Sequence, residues 1–145
     1  MPNLQNQKAS DRRILLAEDH QPTREVLARV LKKAGYIVDT APNGTDAFQL
    51  FQVSPRGYDL IITDHDMPEL DGLGFVKKVR EAGFGGRIIV LSGGLSDANS
   101  STYTNFRVAQ IFAKPISSHA LLEEIQATGI PRQNSTDPSG SVATD

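Results

Sequence analysis

Six residues carry most of the chemistry this sequence could do. Glu18 and Asp19 stand in "LLAEDHQP", Asp64 and Asp66 in "LIITDHDMPELDG", Ser92 in "IIVLSGG" and Lys114 in "IFAKP". Each lies at or just beyond the end of a short apolar run. A carboxylate at the end of a buried strand is costly unless something compensates its charge. Two like charges 4 Å apart repel by about 4 kcal/mol at an effective dielectric near 20. If these acids converge, they must take up protons or share a cation. Their oxygens, with no cysteine in the chain and no clustered histidine, suit a hard divalent ion. Magnesium works with one or two carboxylates plus phosphate oxygens and fits best, with manganese able to substitute. A carboxylate held there, with a lysine amine nearby, can accept a phosphoryl group as an acyl phosphate.

Convergence depends on the elements that carry these residues. "RILLA", "YIVDT", "LIIT", "RIIVL" and "QIFA" read as strands, and they alternate with amphipathic segments. Pro22–Gly35 places Val26, Leu27, Val30, Leu31 and Ala34 at helical spacing, with Pro22 suited to the first turn and Gly35 to the stop. Asn43 caps a second helix, and Asp71 caps a third over Gly72–Gly83. Ser117 caps a last one, in which Ala120, Leu121, Leu122 and Ile125 are available for packing. Gly93–Phe106 fits poorly. It is crowded with Gly, Ser, Thr and Asn, and reads either as a short frayed helix anchored by Tyr103 and Phe106 or as a surface loop. Strand–helix alternation implies an α/β fold, a doubly wound parallel sheet. With five strands the expected order is 2-1-3-4-5, which makes strands one and three neighbours about 4.8 Å apart. Glu18, Asp19 and Asp64 then meet at the point where the strand order reverses. Two acids after strand one argue against a nucleotide phosphate loop there.

The bulk numbers bound the function. The 145 residues suit one domain with a single core. Residues 1–11 and 129–145 are polar and are expected to be disordered, leaving 12–128 as the domain. A net charge of −2 gives no sign of a nucleic-acid face. No apolar run approaches the roughly 20 residues of a membrane span, and the first residues do not read as a signal peptide. A cytoplasmic protein is expected.

The segments "ILLAEDH", "GYIVDTAPNGTDAF", "YDLIITDHDMPELDG", "VLSG" and "AKP", in this order and each after its strand, resemble the receiver domain of response regulators. The resemblance runs from about Arg13 to Ile125. It implies a flavodoxin-like fold and a phosphorylation switch in a two-component phosphorelay, not an enzyme acting on an external substrate. Asp64 becomes the phosphoacceptor. Asp19 and, through water, Glu18 become Mg²⁺ ligands together with the Asp66 backbone carbonyl. Ser92 becomes the switch hydroxyl and Lys114 the phosphate-contacting lysine, with a peptide to Pro115 that is often cis. The phosphodonor is a phosphohistidine on a sensor histidine kinase or a histidine phosphotransfer protein, and output passes by protein contact to a further partner.

Three features depart from the family pattern. The position three before Lys114, usually Tyr or Phe, is Ile111. "FRVAQ" replaces the small residues that usually precede strand five, and the fourth helix is the Ser/Asn/Gly stretch. All three fall on the face receivers use for output. His20, His65 and His119 share no metal-type spacing and are expected to face solvent, with His65 and Asp66 flanking Asp64 as candidates for tuning hydrolysis of the acyl phosphate. Two other readings stand beside the switch. One is a receiver-fold binding module that is never phosphorylated. The other is a metal-dependent phosphatase using Asp64, for which Asp66 could serve as the acid but no cap-sized insertion exists.

Overall fold

The computed structural model describes residues 12–108 and 110–131. Residues 1–11 and 132–145, most of the expected polar ends, lie outside the described residues. Five strands, β1 (Arg13–Ala17), β2 (Ile37–Ala41), β3 (Leu60–Asp64), β4 (Arg87–Ser92) and β5 (Gln110–Ala113), alternate with five helices. The helices are α1 (Gln21–Lys33), α2 (Gly44–Val53), α3 (Gly72–Glu81), α4 (Asp97–Asn105) and α5 (Ser118–Thr128). All pairings are parallel and the order is β2-β1-β3-β4-β5, as expected.

The central strands have no polar face, because helices cover both sides. Their side chains alternate. Ile14, Leu16, Leu60, Ile62, Ile89 and Leu91 point to one side, where they pack with Leu27 and Leu31 of α1 and with Leu121 and Ile125 of α5. Leu15, Ala17, Ile61, Ile88 and Val90 point to the other, against Phe51 of α2 and against Phe75, Val76 and Val79 of α3. Each fully buried aliphatic side chain contributes about 1.5–3 kcal/mol relative to exposure. These two layers therefore dominate the stability of the sheet and hold its strand ends in place.

The caps follow the sequence. Asn43 accepts from the Asp46 amide, Asp71 from Gly74 and Ser117 from Ala120. Within α1, Val26 does not join the core as expected and is 44% exposed. A step of one residue turns a helix by about 100°, so with Leu27 and Leu31 on the sheet Val26 is rotated out of that face. Ala120 is also exposed, one step from buried Leu121. Gly93–Phe106 does contain a helix. Ser96 caps α4 by accepting from the Asn99 amide, and Tyr103 is its anchor, fully buried. Packing of one large side chain plus a cap outweighs the poor intrinsic propensity of "DANSSTYTN". Beyond α5, Gly129 and Ile130 remain attached. The Arg87 and Arg12 guanidinium groups donate to their carbonyls, and the Ile130 side chain is buried in the α1–α5 layer.

Candidate functional site

The strand register determines what meets at the carboxyl edge. Ala17 of β1 pairs with Thr63 of β3, so Glu18 leaves its strand beside Asp64. The Glu18 amide extends the ladder by donating to the Ala41 carbonyl at 3.0 Å. Ligand oxygens of Glu18, Asp19 and Asp64 lie within 4.8 Å of one another. From β5, the Lys114 Nζ reaches to 3.2 Å from Asp64 Oδ1 and 3.6 Å from Glu18 Oε1. The Lys114 amide donates to the Ser92 carbonyl at 2.7 Å, which ties the two strand ends together, and the Lys114–Pro115 peptide is cis. Ser92 stands one residue past Leu91, the β4 partner of Asp64. Its Oγ accepts from the Gly94 amide at 3.1 Å and its side chain is buried.

The electrostatics of this group are unbalanced. Glu18 is 0% exposed and Asp64 2%, while Asp19 is exposed. Glu18 Oε2 accepts from the His20 amide at 3.1 Å. Glu18 Oε1 and Asp64 Oδ1, by contrast, are buried and receive no aligned hydrogen bond; each has the Lys114 ammonium as its ion partner. Burial pushes the Glu18 carboxyl up to about 7, helped by the neighbouring Asp64 and Asp19 and opposed by the His20 amide and Lys114. Burial also raises Asp64, with Asp19 adding to the rise and Lys114 opposing it. For Lys114, burial works to lower the pKa, but the two carboxylates outweigh it and the net direction is upward. One amine, paired with two of three clustered carboxylates, leaves negative charge in excess. Two orphaned, buried, hard oxygens are a donor set that a divalent cation fits.

Asp66 lies two residues beyond β3 with its side chain exposed, outside this cluster. His20 and His119 are exposed as expected. His65 is not: it is 8% exposed, and its ring Nδ1 lies 2.6 Å from the Tyr103 hydroxyl. Spacing along the chain could not reveal this, since the partner is 38 residues away. The exception was legible only as Tyr103, a lone large aromatic in a polar helix.

Beside the acids, Thr23, Leu27, Leu91, Lys114, Pro115 and Ile116 line a groove of about 380 Å³. It continues along α1 into a recess of about 280 Å³ bordered by Pro22, exposed Val26 and Ser118. A larger recess of about 760 Å³, between α1 and Thr40 of β2, is lined by Arg24, Arg29, Lys32 and Lys33, and none of the six candidate residues borders it.

Residues 14–126 match the family model of the response regulator receiver domain. The response regulator receiver protein CpdR of Brucella abortus is 34% identical over 115 residues, spanning 79% of this chain and 94% of its own. The sensor protein EvgS of Escherichia coli is 47% identical over 68 residues, or 47% of this chain, but that stretch is only 6% of its length. Among solved structures, the chemotaxis response regulator CheY4 of Vibrio cholerae superposes with a TM-score of 0.73 at 28% identity, covering 81% of this chain and 98% of that one. A family match over most of the chain, joined to the strand order and the acid cluster at its switch point, establishes that this chain belongs to the response regulator receiver domain family, the signalling modules of two-component systems.

Proposed function

We propose that this receiver domain accepts a phosphoryl group on Asp64 from a phosphohistidine and works as a switch. The observation that carries the reading is the buried pair of orphaned oxygens, Glu18 Oε1 and Asp64 Oδ1, facing the Lys114 amine. An Asp64 oxygen attacks phosphorus, the P–N bond breaks with its electron pair returning to the imidazole, and an acyl phosphate forms. Lys114 is positioned to neutralise charge on the transferring oxygens and Ser92 to donate its hydroxyl to one of them. Glu18, Asp19 and Asp64, with the Asp66 carbonyl, would hold Mg²⁺, or Mn²⁺ in its place. The bound ion would supply positive charge to the phosphoryl oxygens and relieve the repulsion among the acids.

The groove beside Lys114 supports the assignment of the donor. An apolar surface bordered by Leu27, Pro115, Ile116 and Val26 runs up to Lys114, whose amine contacts Glu18 and Asp64. It suits a helix of a histidine kinase or phosphotransfer protein that presents its phosphohistidine over Asp64. Val26→Asp is then expected to slow transfer from such a partner while leaving phosphorylation by a small donor unchanged. Equal slowing with both donors would remove the groove from this role. Among the described residues no helix is long and apolar enough to cross a membrane. We place the switch in the cytoplasm on the separate ground that its proposed phosphohistidine donor is a cytoplasmic signalling group.

The deciding experiment is incubation with Mg²⁺ and acetyl phosphate followed by intact mass. One phosphoryl adduct, absent in Asp64→Asn, is the expected result. Turnover without an adduct would favour a phosphatase. Ile111 at the usual aromatic position favours a second reading, a receiver-fold module that binds partners without phosphorylation, and failure of every donor to give an adduct would support it.

A further inference from the structure

The transfer chemistry uses the acids, Ser92 and Lys114 and leaves one buried polar pair unused. His65 follows Asp64 directly, and its Nδ1 is 2.6 Å from the Tyr103 hydroxyl, with the two rings edge to face at 5.6 Å between centroids. The backbone of His65 is held at both polar groups. Its amide donates to the Leu91 carbonyl of β4, and its carbonyl accepts from the Gly72 amide of α3, each at 2.8 Å. The imidazole ring is therefore the part of His65 whose bonding can change without opening the sheet.

Tyr103 reaches this point because Gly72 has no side chain. A Cβ there would lie 2.4 Å from the Asp64 carbonyl oxygen, 2.8 Å from the His65 Cα and 2.9 Å from the Tyr103 hydroxyl. The main chain of the phosphoacceptor, the residue after it and the tip of an α4 side chain thus close on one spot. Helix α4 has little else to hold it. Tyr103 is its fully buried residue, and the rest of "DANSSTYTN" offers no apolar stripe. Its C-terminal end is anchored separately, by the Arg80 guanidinium donating to the Phe106 and Arg107 carbonyls at 2.8 and 3.1 Å. On β5, Ile111 has no polar side-chain atom and packs against the core layer that contains Tyr103.

We propose that the His65–Tyr103 hydrogen bond transmits the phosphorylation state of Asp64 to α4. The inference rests on Asp64 as phosphoacceptor. A phosphoryl group adds about −1.5 to −2 charge next to His65. That charge competes for the proton shared between Nδ1 and the Tyr103 hydroxyl, whichever of the two donates it, so the bond weakens in the phosphorylated form. Because the anchor at Arg80 persists, α4 responds by pivoting from its C-terminal end, a change between two packings of one element.

The test compares the full chain with Tyr103→Phe by NMR, before and after acetyl phosphate and Mg²⁺, with intact mass run on each sample. The expected result in the wild type is a shift of the His65 Nδ1 resonance and of the amides of residues 97–105. In Tyr103→Phe the Asp64 adduct forms to the same extent, but the amide shifts in α4 fall several-fold. An α4 response in Tyr103→Phe as large as in the wild type would overturn the proposal. So would a His65 Nδ1 signal unmoved in the phosphorylated wild type, a measurement that needs no variant. Absence of the adduct in the wild type is separate and removes the phosphoacceptor reading itself.

Discussion

The carboxyl edge of the sheet and helix α4 are built on opposite principles. At the edge, the acids sit on strands whose neighbours above and below are 0–2% exposed, and parallel hydrogen bonding sets each residue's place. Helix α4 has nine residues, of whose described side chains Tyr103 is fully buried, and a sequence that does not favour helix. Two packed layers position the first region, whereas one buried aromatic side chain, an N-terminal cap and the Arg80 contacts at the C-terminal end position the second. The proposed phosphoryl chemistry, which needs constant geometry, would thus lie on the more densely packed part, and the part with the smallest margin for staying in place meets it through the His65–Tyr103 hydrogen bond.

Removing the anchor should break this comparison most severely. Tyr103→Ala is expected to cost about 3–5 kcal/mol and to free α4, because a fully buried aromatic is deleted. Hydrogen exchange would then show α4 amides unprotected while β1 and β3 stay protected. Uniform loss of protection would mean that α4 is as integral as the sheet.

Next in size is Lys114→Ala, expected to lower stability by about 2–3 kcal/mol at pH 8 in the absence of metal. Two buried carboxylates lose their cation, though 30% exposure of the lysine side chain softens the loss. Below about pH 6 the penalty should shrink, since the carboxylates can take up protons instead. A pH-independent penalty measured by urea unfolding would mean that packing of the lysine, not its charge, is what matters.

A smaller effect concerns pH and metal together. The folded protein holds Glu18 at about 7, above its ordinary 4.5. The folded state therefore binds a proton that the unfolded chain releases, and the stability this gives is complete below pH 4.5 and lost as pH rises through 7. With metal removed by a chelator, the site's contribution to Tm should fall between pH 5.5 and 8. Adding Mg²⁺ should raise Tm more at pH 8 than at pH 5.5, and an equal rise at both would contradict the assignment. The smallest change sharpens the contrast from the other side. Ser101→Ala, on the exposed face of α4, should stabilise by about 0.5 kcal/mol through helix propensity alone, seen as a small rise in urea midpoint.

Much of the edge was legible in advance because its determinants are local and periodic. "RILLA", "LIIT" and "RIIVL" are apolar throughout, which only strands covered on both faces require, and alternation with helices leaves few sheet orders. Once the order is given, Glu18, Asp19, Asp64 and Lys114 must approach one another, wherever the helices lie. The caps at Asn43, Asp71 and Ser117 were legible for the same reason, each acting within three residues of itself. Val26 was misplaced because helical spacing alone allows a face wider than the sheet can cover.

The amino-acid sequence by itself determined the alternation, the strand order and the acids at the strand ends, since short-range patterns and the handedness of crossovers suffice for these. Only the tertiary structure decided that His65 is buried rather than solvated, that Tyr103 is its partner and that Ile130 closes the α1–α5 layer. Those outcomes depend on which side chains from distant segments compete for the same small volume, such as the space left by the absent side chain of Gly72. No pattern along the chain records a vacancy that exists only after the helices have docked.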